Sequence, residues 1–371
     1  MSHILFISHA CGIHGAESVM MQAVKACRAA GTRVTVVLTS LGADEGLQAA
    51  LRQIPGVQTM LLPYKSAGVH AVRTAFVKLF NRPAVRRLTA YVEQEHVDVI
   101  YANTSVTILG AALAQRTHVR LVWHWHEPVD AQFGWHASMK EMYRRMAEQA
   151  DTIICISELQ KAEWEQALGI TLTNAQVVYN PIKPIGIVPA EEKAAHKDVC
   201  IGFIGHFEAR KNIGLLVRTF ERLHTAHPDT KLLLCGAVDE KDEASIRQMT
   251  ALRAPIVEIW HQTPEVESFY HRIDLLVLPS WRETMPLVVL EAMQAGVCVL
   301  QTERSGMKER LEDGQETLFF SPDQPDELMR LLEQCMDAGY RKQIAANGQR
   351  KAVQLVMNSC FDEQIQRILC K

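Results

Sequence analysis

Short apolar runs alternate with helix-like segments along this chain of 371 residues, and the alternation restarts in its second half. HILFIS at 3–8 precedes the helix-like stretch AESVMMQAVKACRAAG at 16–31, and VCIGFIG at 199–205 precedes NIGLLVRTFERLHTA at 212–226. Strands joined by helices are typical of parallel sheets, because each connection must cross over the sheet. The sequence therefore predicts an α/β fold with two similar halves.

A Pro- and Lys-rich segment, NPIKPIGIVPAEEKAAHKD, separates the two halves at 180–198. This composition is typical of a linker, so we expect a first domain at 1–185 and a second at 199–354. A helical pattern from about 355 to 371 is expected to pack back on the first domain. Ligands bind beyond the carboxyl ends of strands in such sheets. The two domains are therefore expected to face each other across a ligand-binding cleft.

The composition excludes several classes of protein. A net charge of −3 does not favour a nucleic-acid partner, and no apolar run approaches the roughly 20 residues that a membrane-spanning helix needs. The opening MSHILFISHA lacks the basic start and cleavage site of a signal peptide and predicts a strand instead. Nine cysteines without a C-x-x-C pair fit buried thiols in a reducing compartment. We therefore expect a cytoplasmic protein.

The segment RETMPLVVLEAMQAG places Glu283 just before a predicted helix and Glu291 on it. Thr284 is expected to cap the helix and Gly296 to end it, and Pro286 suits the first turn. The backbone at the helix start could bind a phosphate or a sugar hydroxyl. That backbone belongs to Thr284, Met285, Pro286 and Leu287. Two surface carboxylates are the simpler interpretation of this spacing taken alone.

With its flanks, PSWRETMPLVVLEAMQAG at 279–296 resembles the E-x7-E motif of retaining GT-B glycosyltransferases of family 4, also called glycosyl transferases group 1. The resemblance covers most of the chain and is most specific at 199–320. It implies two Rossmann-like α/β domains facing across a central cleft. It also implies a nucleoside diphosphate sugar as donor, hexosyl transfer with retention at the anomeric carbon, and no metal or other cofactor.

A second segment, GFIGHFEARKNIGLLVRTF, resembles the phosphate-binding turn of this family. The family usually has an arginine directly after the residue that matches Gly205, and a lysine five residues later. Here His206 takes the arginine position, and Lys211 matches the lysine. Either Arg210 replaces the arginine, or a neutral His206 donates one hydrogen bond. Lys211 and its neighbour would stabilise the negative charge that develops on the diphosphate.

Two loops of the first half also resemble the family. SHACGIHGAES corresponds to a family loop that carries Gly-Gly-Ala-Glu, of which Gly15 and Glu17 are retained. Gly15 would let a ligand approach the backbone, while Glu17 is expected to begin a helix rather than do chemistry. RLVWHWHEP places His126 where the family has a histidine facing the reacting sugar. His126 could also be a structural residue of the core, and no third metal ligand or Asp-x-Asp accompanies it.

The resemblance assigns further roles. Glu283 would hold sugar hydroxyls near the reacting carbon, Glu291 would hold the ribose, and His126 would contact the donor sugar from the opposite domain. No residue is assigned as a protein nucleophile. The acceptor would be a glycan or a lipid-linked molecule, as in the synthesis of a bacterial surface polysaccharide.

A basic stretch occupies the first half. No Asp or Glu occurs between Gly46 and Val92, and residues 65–87 are rich in lysine and arginine. Such a stretch could lie on an anionic membrane or meet a lipid-linked acceptor, which would place the protein at the inner face of the membrane. An ordinary helix pair with a basic outer face is the simpler interpretation, and the membrane or lipid-linked acceptor is the alternative.

Three other functions fit parts of this sequence. A sugar-nucleotide 2-epimerase of the same fold would need further carboxylates near the reacting sugar, and none can be assigned. A non-catalytic sugar-nucleotide or glycan-binding protein would fit the change at His206, although Lys211, Glu283 and Glu291 are retained. A dehydrogenase is disfavoured because no G-x-G-x-x-G follows the first strand. The base, the sugar, the acceptor, the linkage and the oligomeric state stay open.

Overall fold

The structure is a computed structural model that describes most of the chain. The described residues are 2–42, 45–67, 71–129, 137–186, 198–236, 244, 246, 248, 255–261 and 266–370. Contacts between residues divide the chain into two units. Unit 1 comprises Met1–Pro181 and Cys360–Lys371, and unit 2 comprises Ile182–Ser359. Within the expected linker, 187–197 lie outside the described residues.

Unit 1 is an α/β structure built on a parallel sheet. Its described strands are β1 His3–Ile7, β2 Arg33–Thr39, β3 Val57–Leu62, β4 Val99–Asn103, β5 Arg120–His124, β6 Thr152–Cys155 and β7 Ala175–Val177. Its described helices before the linker are α1 Gly15–Ala29, α2 Gly46–Arg52, α3 Ala71–Phe80, α4 Arg82–Gln94, α5 Ile108–Thr117, α6 Ala137–Gln149 and α7 Glu158–Leu168. The strand order is β3-β2-β1-β4-β5-β6-β7.

β1 lies inside this sheet, paired in parallel with β2 on one side and with β4 on the other. The chain winds outward from β1 to β3, returns to β4 and then winds outward in the opposite direction. Alternate side chains of β1 enter two hydrophobic cores. Ile4 and Phe6 pack in the core that contains α1, while Leu5 and Ile7 pack in the core that contains α4 to α7. The loops after β1 and β4 therefore diverge at a switch point, where sheets of this kind bind ligands.

Unit 2 contains a second parallel sheet. Its described strands are β8 Val199–Ile204, β9 Thr230–Gly236, β10 Val257–His261, β11 Leu275–Leu278, β12 Cys298–Thr302 and β13 Leu318–Phe320. Helices assigned in this unit include α8 Ile213–Ala226, α9 Val266–Arg272, α10 Leu287–Gln294, α11 Pro325–Gln334 and α12 Ala338–Met357. The strand order is β10-β9-β8-β11-β12-β13. Two parallel sheets flanked by helices confirm the predicted pair of Rossmann-like α/β domains.

The end of the chain packs on α1 of unit 1 as helix α13, Phe361–Leu369. Gln22 Nε2 donates to Asp362 Oδ1 over 2.9 Å, which ties the two helices together. The helical pattern expected from about 355 is two helices in the structure, because α12 ends at Met357 and α13 begins four residues later. Within the described residues, no helix is long and apolar enough to cross a membrane.

Candidate functional site

The loop that carries Glu283 joins β11 to α10 in unit 2. Pro286 is the N-cap residue of α10, with φ −73° and ψ 109°. The prediction that Thr284 caps this helix is therefore wrong. The backbone before Pro286 is held extended, because Glu283 N donates to Arg304 O over 2.9 Å and Glu283 O accepts from Gly306 N over 3.1 Å. This bridge to the loop after β12 delays the start of the helix.

The carboxylate of Glu283 is buried among hydrogen-bond donors. Lys211 Nζ and Ser280 Oγ each donate to Glu283 Oε1 over 2.6 Å. Arg210 Nη1 lies 3.5 Å from Oε2. Burial alone would raise the pKa of Glu283, but Lys211 and Arg210 outweigh it, and the pKa lies below its ordinary value of 4.5. Glu283 is therefore an ionised carboxylate that accepts hydrogen bonds and holds Lys211 in place.

The turn after β8 brings these cations to Glu283. Gly205 follows the strand with φ of 150°, a conformation that residues with a side chain rarely adopt. A Cβ at Gly236 would lie 1.9 Å from Gly205 O, so the ends of β8 and β9 must approach closely. The 3-10 turn Ala209–Lys211 comes next and supplies the two cations. His206, at the position of the family's arginine, is exposed.

Glu291 lies on α10 and has a different partner. Tyr270 Oη, from α9, donates to Glu291 Oε2 over 2.7 Å. Burial raises the pKa of Glu291 above 4.5, and the hydrogen bond from Tyr270 partly opposes the rise. α10 ends as predicted, since Gly296 follows it with φ 68°. Sequence reasoning missed Tyr270, because only the fold places α9 beside α10.

His126 lies just beyond the end of β5 in unit 1. Its Nε2 lies 3.1 Å from Asn103 Oδ1, at the end of the neighbouring strand β4. The rings of His124 and His126 are 4.0 Å apart between centroids, as expected for alternate residues on one face of a strand. Burial lowers the pKa of His126 to about 4. The imidazole is therefore neutral near pH 7.

Glu17 lies in the first turn of α1, as predicted, but it also forms a buried ion pair. Its side chain is 0% exposed, and His9 Nδ1 lies 2.9 Å from Glu17 Oε1. Burial would raise the pKa of Glu17, yet His9 brings it below 4.5. Burial would lower the pKa of His9, yet Glu17 brings it above 6.5. The pair is therefore charged near neutral pH, and the sequence did not reveal it.

Asn103 links this ion pair to His126. Asn103 Nδ2 donates to Glu17 Oε1 and to Ala16 O, each over 3.4 Å, so Oδ1 is the atom that faces His126. An amide oxygen only accepts hydrogen bonds, so Nε2 of the neutral His126 carries the proton. The signal that could have found His9 and Asn103 is their place at the ends of β1 and β4, beside the switch point.

Gly15 begins α1, and the space beside it is open. A Cβ at Gly15 would meet no atom within 4 Å, so packing does not require a glycine there. The close approach of a ligand remains the reason proposed for it. Among the residues that the structure describes, no three His, Cys, Asp or Glu side chains are arranged to hold a metal ion.

Two family profiles together cover most of the chain. The profile described as Glycosyltransferase Family 4 matches residues 13–184. The profile described as Glycosyl transferases group 1 matches residues 187–351. The first match therefore contains Gly15, Glu17 and His126, and the second contains Lys211, Glu283 and Glu291.

Known proteins agree with these matches. Anabaena HepE, solved in complex with UDP-glucose, is 20% identical over 100% of both chains with a TM-score of 0.79, which shows a shared fold. A glycogen synthase of Mycobacterium tuberculosis is 25% identical over 59% of this chain and 52% of that protein. A D-inositol 3-phosphate glycosyltransferase of Acidothermus cellulolyticus is 23% identical over 77% of this chain and 69% of that protein. The chain spans about half the length of the first curated relatives that it matches. It belongs to the group 1, family 4 glycosyltransferases and has the two Rossmann-like domains of the GT-B fold.

Proposed function

We propose that this protein transfers a hexosyl group from a nucleoside diphosphate sugar to a glycan or lipid-linked acceptor. The observation that carries the proposal is the buried cluster in unit 2, in which Lys211 and Ser280 bind Glu283 and Arg210 lies close by. The group 1 profile, which contains these residues, and the position of the cluster, after β8 and before α10, support a donor site there.

The cluster has the charges that the departure of a nucleoside diphosphate requires. Negative charge develops on the diphosphate as its bond to the sugar breaks. Lys211 and Arg210 would stabilise this charge, and they would do so without a metal ion. The backbone at 284–287 would add the partial positive charge of a helix start.

The two motif glutamates would orient the donor. Glu283 is ionised and would accept hydrogen bonds from sugar hydroxyls near the reacting carbon. Glu291, held by Tyr270, would accept from the ribose diol. His126, neutral and protonated on Nε2, would contact the donor sugar. We propose that the transfer retains the anomeric configuration and uses no protein nucleophile.

The relatives suggest which substrates to test first. The structure of HepE holds UDP-glucose, which makes UDP the first nucleotide to test. A glycogen synthase among the relatives supports a glycan as acceptor. A role in the synthesis of a surface polysaccharide is the corresponding biological proposal.

We propose a cytoplasmic protein that can lie against the inner face of the membrane. α3 exposes 55% of Phe76 and 57% of Leu79, and its Lys78 is exposed beside them. Apolar side chains beside cations suit an anionic membrane surface. Within the predicted basic stretch 65–87, residues 68–70 and the side chains of 71–73 lie outside the described residues.

Nucleotide-dependent stabilisation tests the donor site. We would measure thermal unfolding with UDP, GDP, ADP and CMP, for the wild type, Glu291→Ala and the control Glu333→Ala, which removes an exposed carboxylate of α11. A nucleotide at 100 times its dissociation constant should add about 2.7 kcal/mol to the free energy of unfolding. The shift should vanish in Glu291→Ala and persist in Glu333→Ala. No shift with any nucleotide would refute the donor site.

Turnover tests the chemistry. The stabilising nucleotide, supplied as its glucose conjugate, should release free nucleotide in the presence of a glycan acceptor, and chelation of metal ions should not slow the release. Proton NMR of the product reports whether the anomeric configuration is retained. Binding without turnover over a wide acceptor panel would support a non-catalytic protein instead.

A further inference from the structure

A cavity of about 610 Å³ opens in unit 1 at the carboxyl ends of β1, β2 and β3. Its walls include His9 and Cys11 from the loop after β1, Thr39 from β2, and Tyr64 and Lys65 from the loop after β3. This is the edge of a parallel sheet at which ligands bind. Apart from Phe76, whose exposed ring belongs to the proposed membrane face, its lining residues have no role in the donor site proposed above.

The walls of the cavity are fixed by buried hydrogen bonds. Tyr64 Oη donates to Ser8 O, and Thr39 Oγ1 donates to Tyr64 O over 2.8 Å. The side-chain amide of Asn81 binds the backbone of Lys65 through two hydrogen bonds. Its Oδ1 accepts from Lys65 N and its Nδ2 donates to Lys65 O, each over 2.9 Å. The backbone of Lys65 is therefore fixed before any ligand binds.

The charges on these walls have one sign. Lys65 Nζ lies 4.8 Å from the centroid of the Phe80 ring and 5.4 Å from that of Phe76, which confines the ammonium group. His9 is the second cationic group: its Nδ1 lies 2.9 Å from Oε1 of the buried Glu17, which outweighs the effect of burial, raises the pKa of His9 and favours its charged form. The N-terminus of the 15-residue helix α1 adds partial positive charge, since its N-cap residue His14 also lines the cavity. The described lining contains no Asp or Glu.

We infer that this cavity is an acceptor subsite that binds a phosphate group through Lys65 and His9. Because Glu17 balances the charge of His9, the net positive charge comes from Lys65 and the helix start, and protonated His9 adds an N–H donor. These donors suit the several acceptor oxygens of a phosphate better than the two of a carboxylate. The assignment of the phosphate to an acceptor rests on the proposed function. The site lies entirely in unit 1, so it can be tested apart from the donor site in unit 2.

Cys11 provides a local reporter, because it lines the cavity and is partly exposed, whereas Cys360 is exposed elsewhere. We would follow alkylation of both thiols in the full chain by mass spectrometry, with glycerol 3-phosphate, glycerol or lactate present. Glycerol phosphate should slow alkylation of Cys11 and leave Cys360 unchanged, and neither glycerol nor lactate should match it. A dihexanoyl phosphatidate arm tests the source of the phosphate: stronger protection than by glycerol phosphate indicates a lipid-linked acceptor, and equal protection indicates a soluble one.

Matched variants assign the effect to Lys65. The concentration of glycerol phosphate that half-protects Cys11 should rise about fivefold in Lys65→Gln, which corresponds to ~1 kcal/mol. It should return toward the wild-type value in Lys65→Arg and stay unchanged in Lys25→Gln, an exposed lysine of α1 outside the cavity lining. No protection in the wild type, or equal protection in Lys65→Gln, would overturn the inference. Protection of Cys11 without any nucleotide-dependent stabilisation would instead leave this anion site standing and refute the proposed function.

Discussion

Each unit buries one carboxylate beside the ends of its strands, and the two carboxylates have different counter-ions. In unit 2, Glu283 is bound by Lys211, with Arg210 nearby. In unit 1, Glu17 is paired with His9. Lysine and arginine side chains keep their charge across the physiological range, whereas histidine changes its charge within it. We therefore expect the site of unit 2 to be insensitive to pH near neutrality and that of unit 1 to respond to it.

The two clusters also differ in what builds them. The unit 2 cluster comes from two segments, 205–211 and 280–287, and both carry recognisable family motifs. The unit 1 cluster joins His9 and Glu17, from the loop after β1 and the start of α1, to Asn103 at the end of β4 and His126 just beyond β5. Only the switch point of the sheet brings these residues together. Family motifs therefore identify the residues of the unit 2 cluster more directly than those of the unit 1 cluster.

Removing Lys211 from the unit 2 cluster should have the largest effect on stability. Lys211→Met leaves the ionised Glu283 buried without its main partner, and the free energy of unfolding should fall by about 3 kcal/mol. Stabilisation by nucleotide should also disappear. Urea unfolding measures the first effect, and thermal unfolding with nucleotide measures the second.

The double variant Lys211→Met/Glu283→Gln is the control for this prediction. It removes the unpaired charge, so most of the lost stability should return while nucleotide binding stays absent. If the double variant is no more stable than Lys211→Met, the buried charge of Glu283 is not the reason for the loss. Lys211 would then act mainly through the packing of its side chain.

The ion pair of unit 1 should give a smaller effect that depends on pH. Glu17→Gln removes the counter-ion of His9 and should lower the free energy of unfolding by about 2 kcal/mol near pH 6. The pKa of His9 is raised above 6.5, so the stability from its protonation is complete below 6.5 and is lost as the pH rises through the raised value. The pKa of Glu17 is lowered below 4.5, so its stability is present above 4.5 and is lost as the pH falls through the lowered value.

The difference between wild type and Glu17→Gln should therefore be largest between these limits and shrink as the pH rises through the raised pKa of His9. Urea unfolding across that range provides the measurement. The titratable neighbours of the pair include Glu127 and His126, which also act on its charges. A difference that stays constant with pH would show that His9 does not change its charge, and the contrast between the two units would then fail.

Much of the fold could be predicted because it depends on local patterns. Apolar runs alternating with helical segments predicted both sheets. Gly296 was expected to end α10, and it follows that helix with a positive φ. The start of α10 could not be predicted, because Glu283 is held extended by hydrogen bonds to the loop after β12, about twenty residues along the chain. Thr284 has the residue type of a helix cap, but it directly follows this bridge and lies two residues before the actual N-cap, Pro286.

The candidate site could likewise be predicted only in part. The motif residues Lys211 and Glu283 were predicted together, and the structure places them in contact. Their role in binding a donor stays a prediction. The pairing of Asn103 with Glu17 and His126 depends on neighbouring strands that lie far apart in the sequence. No periodicity or spacing carries that information, so only the sheet order could reveal it.

Asn103 provides a finer test of unit 1. Asn103→Ala removes the acceptor that keeps the proton of His126 on Nε2, and the rate of transfer should fall roughly tenfold, a change of about 1.4 kcal/mol in the barrier. The Michaelis constant for the donor should change less. Nitrogen-15 NMR of the histidine rings should show one tautomer of His126 in the wild type and a mixture in the variant. A single unchanged tautomer in Asn103→Ala would show that another group orients the ring.

The smallest effect is expected on removing the hydrogen bond between Tyr270 and Glu291. This change tests whether Glu291 of unit 2 contacts the nucleotide. Tyr270→Phe removes a donor to Glu291 and should weaken nucleotide binding about fivefold, or ~1 kcal/mol. The hydrogen bond lowers the pKa of Glu291 against the effect of burial, so its loss should raise that pKa further. Nucleotide binding in Tyr270→Phe should therefore fall off at a higher pH than in the wild type when the solution is acidified.

Calorimetric titration with the stabilising nucleotide measures both effects, and Tyr340→Phe on α12 is the matched control. If nucleotide binding is weaker in Tyr270→Phe but is lost at the same acidic pH as in the wild type, Tyr270 affects the site through packing alone. An unchanged affinity would mean that Glu291 does not contact the nucleotide. In either case, the pH insensitivity expected of unit 2 near neutrality would depend on Lys211 and Glu283, because these two residues form the ion pair of the cluster.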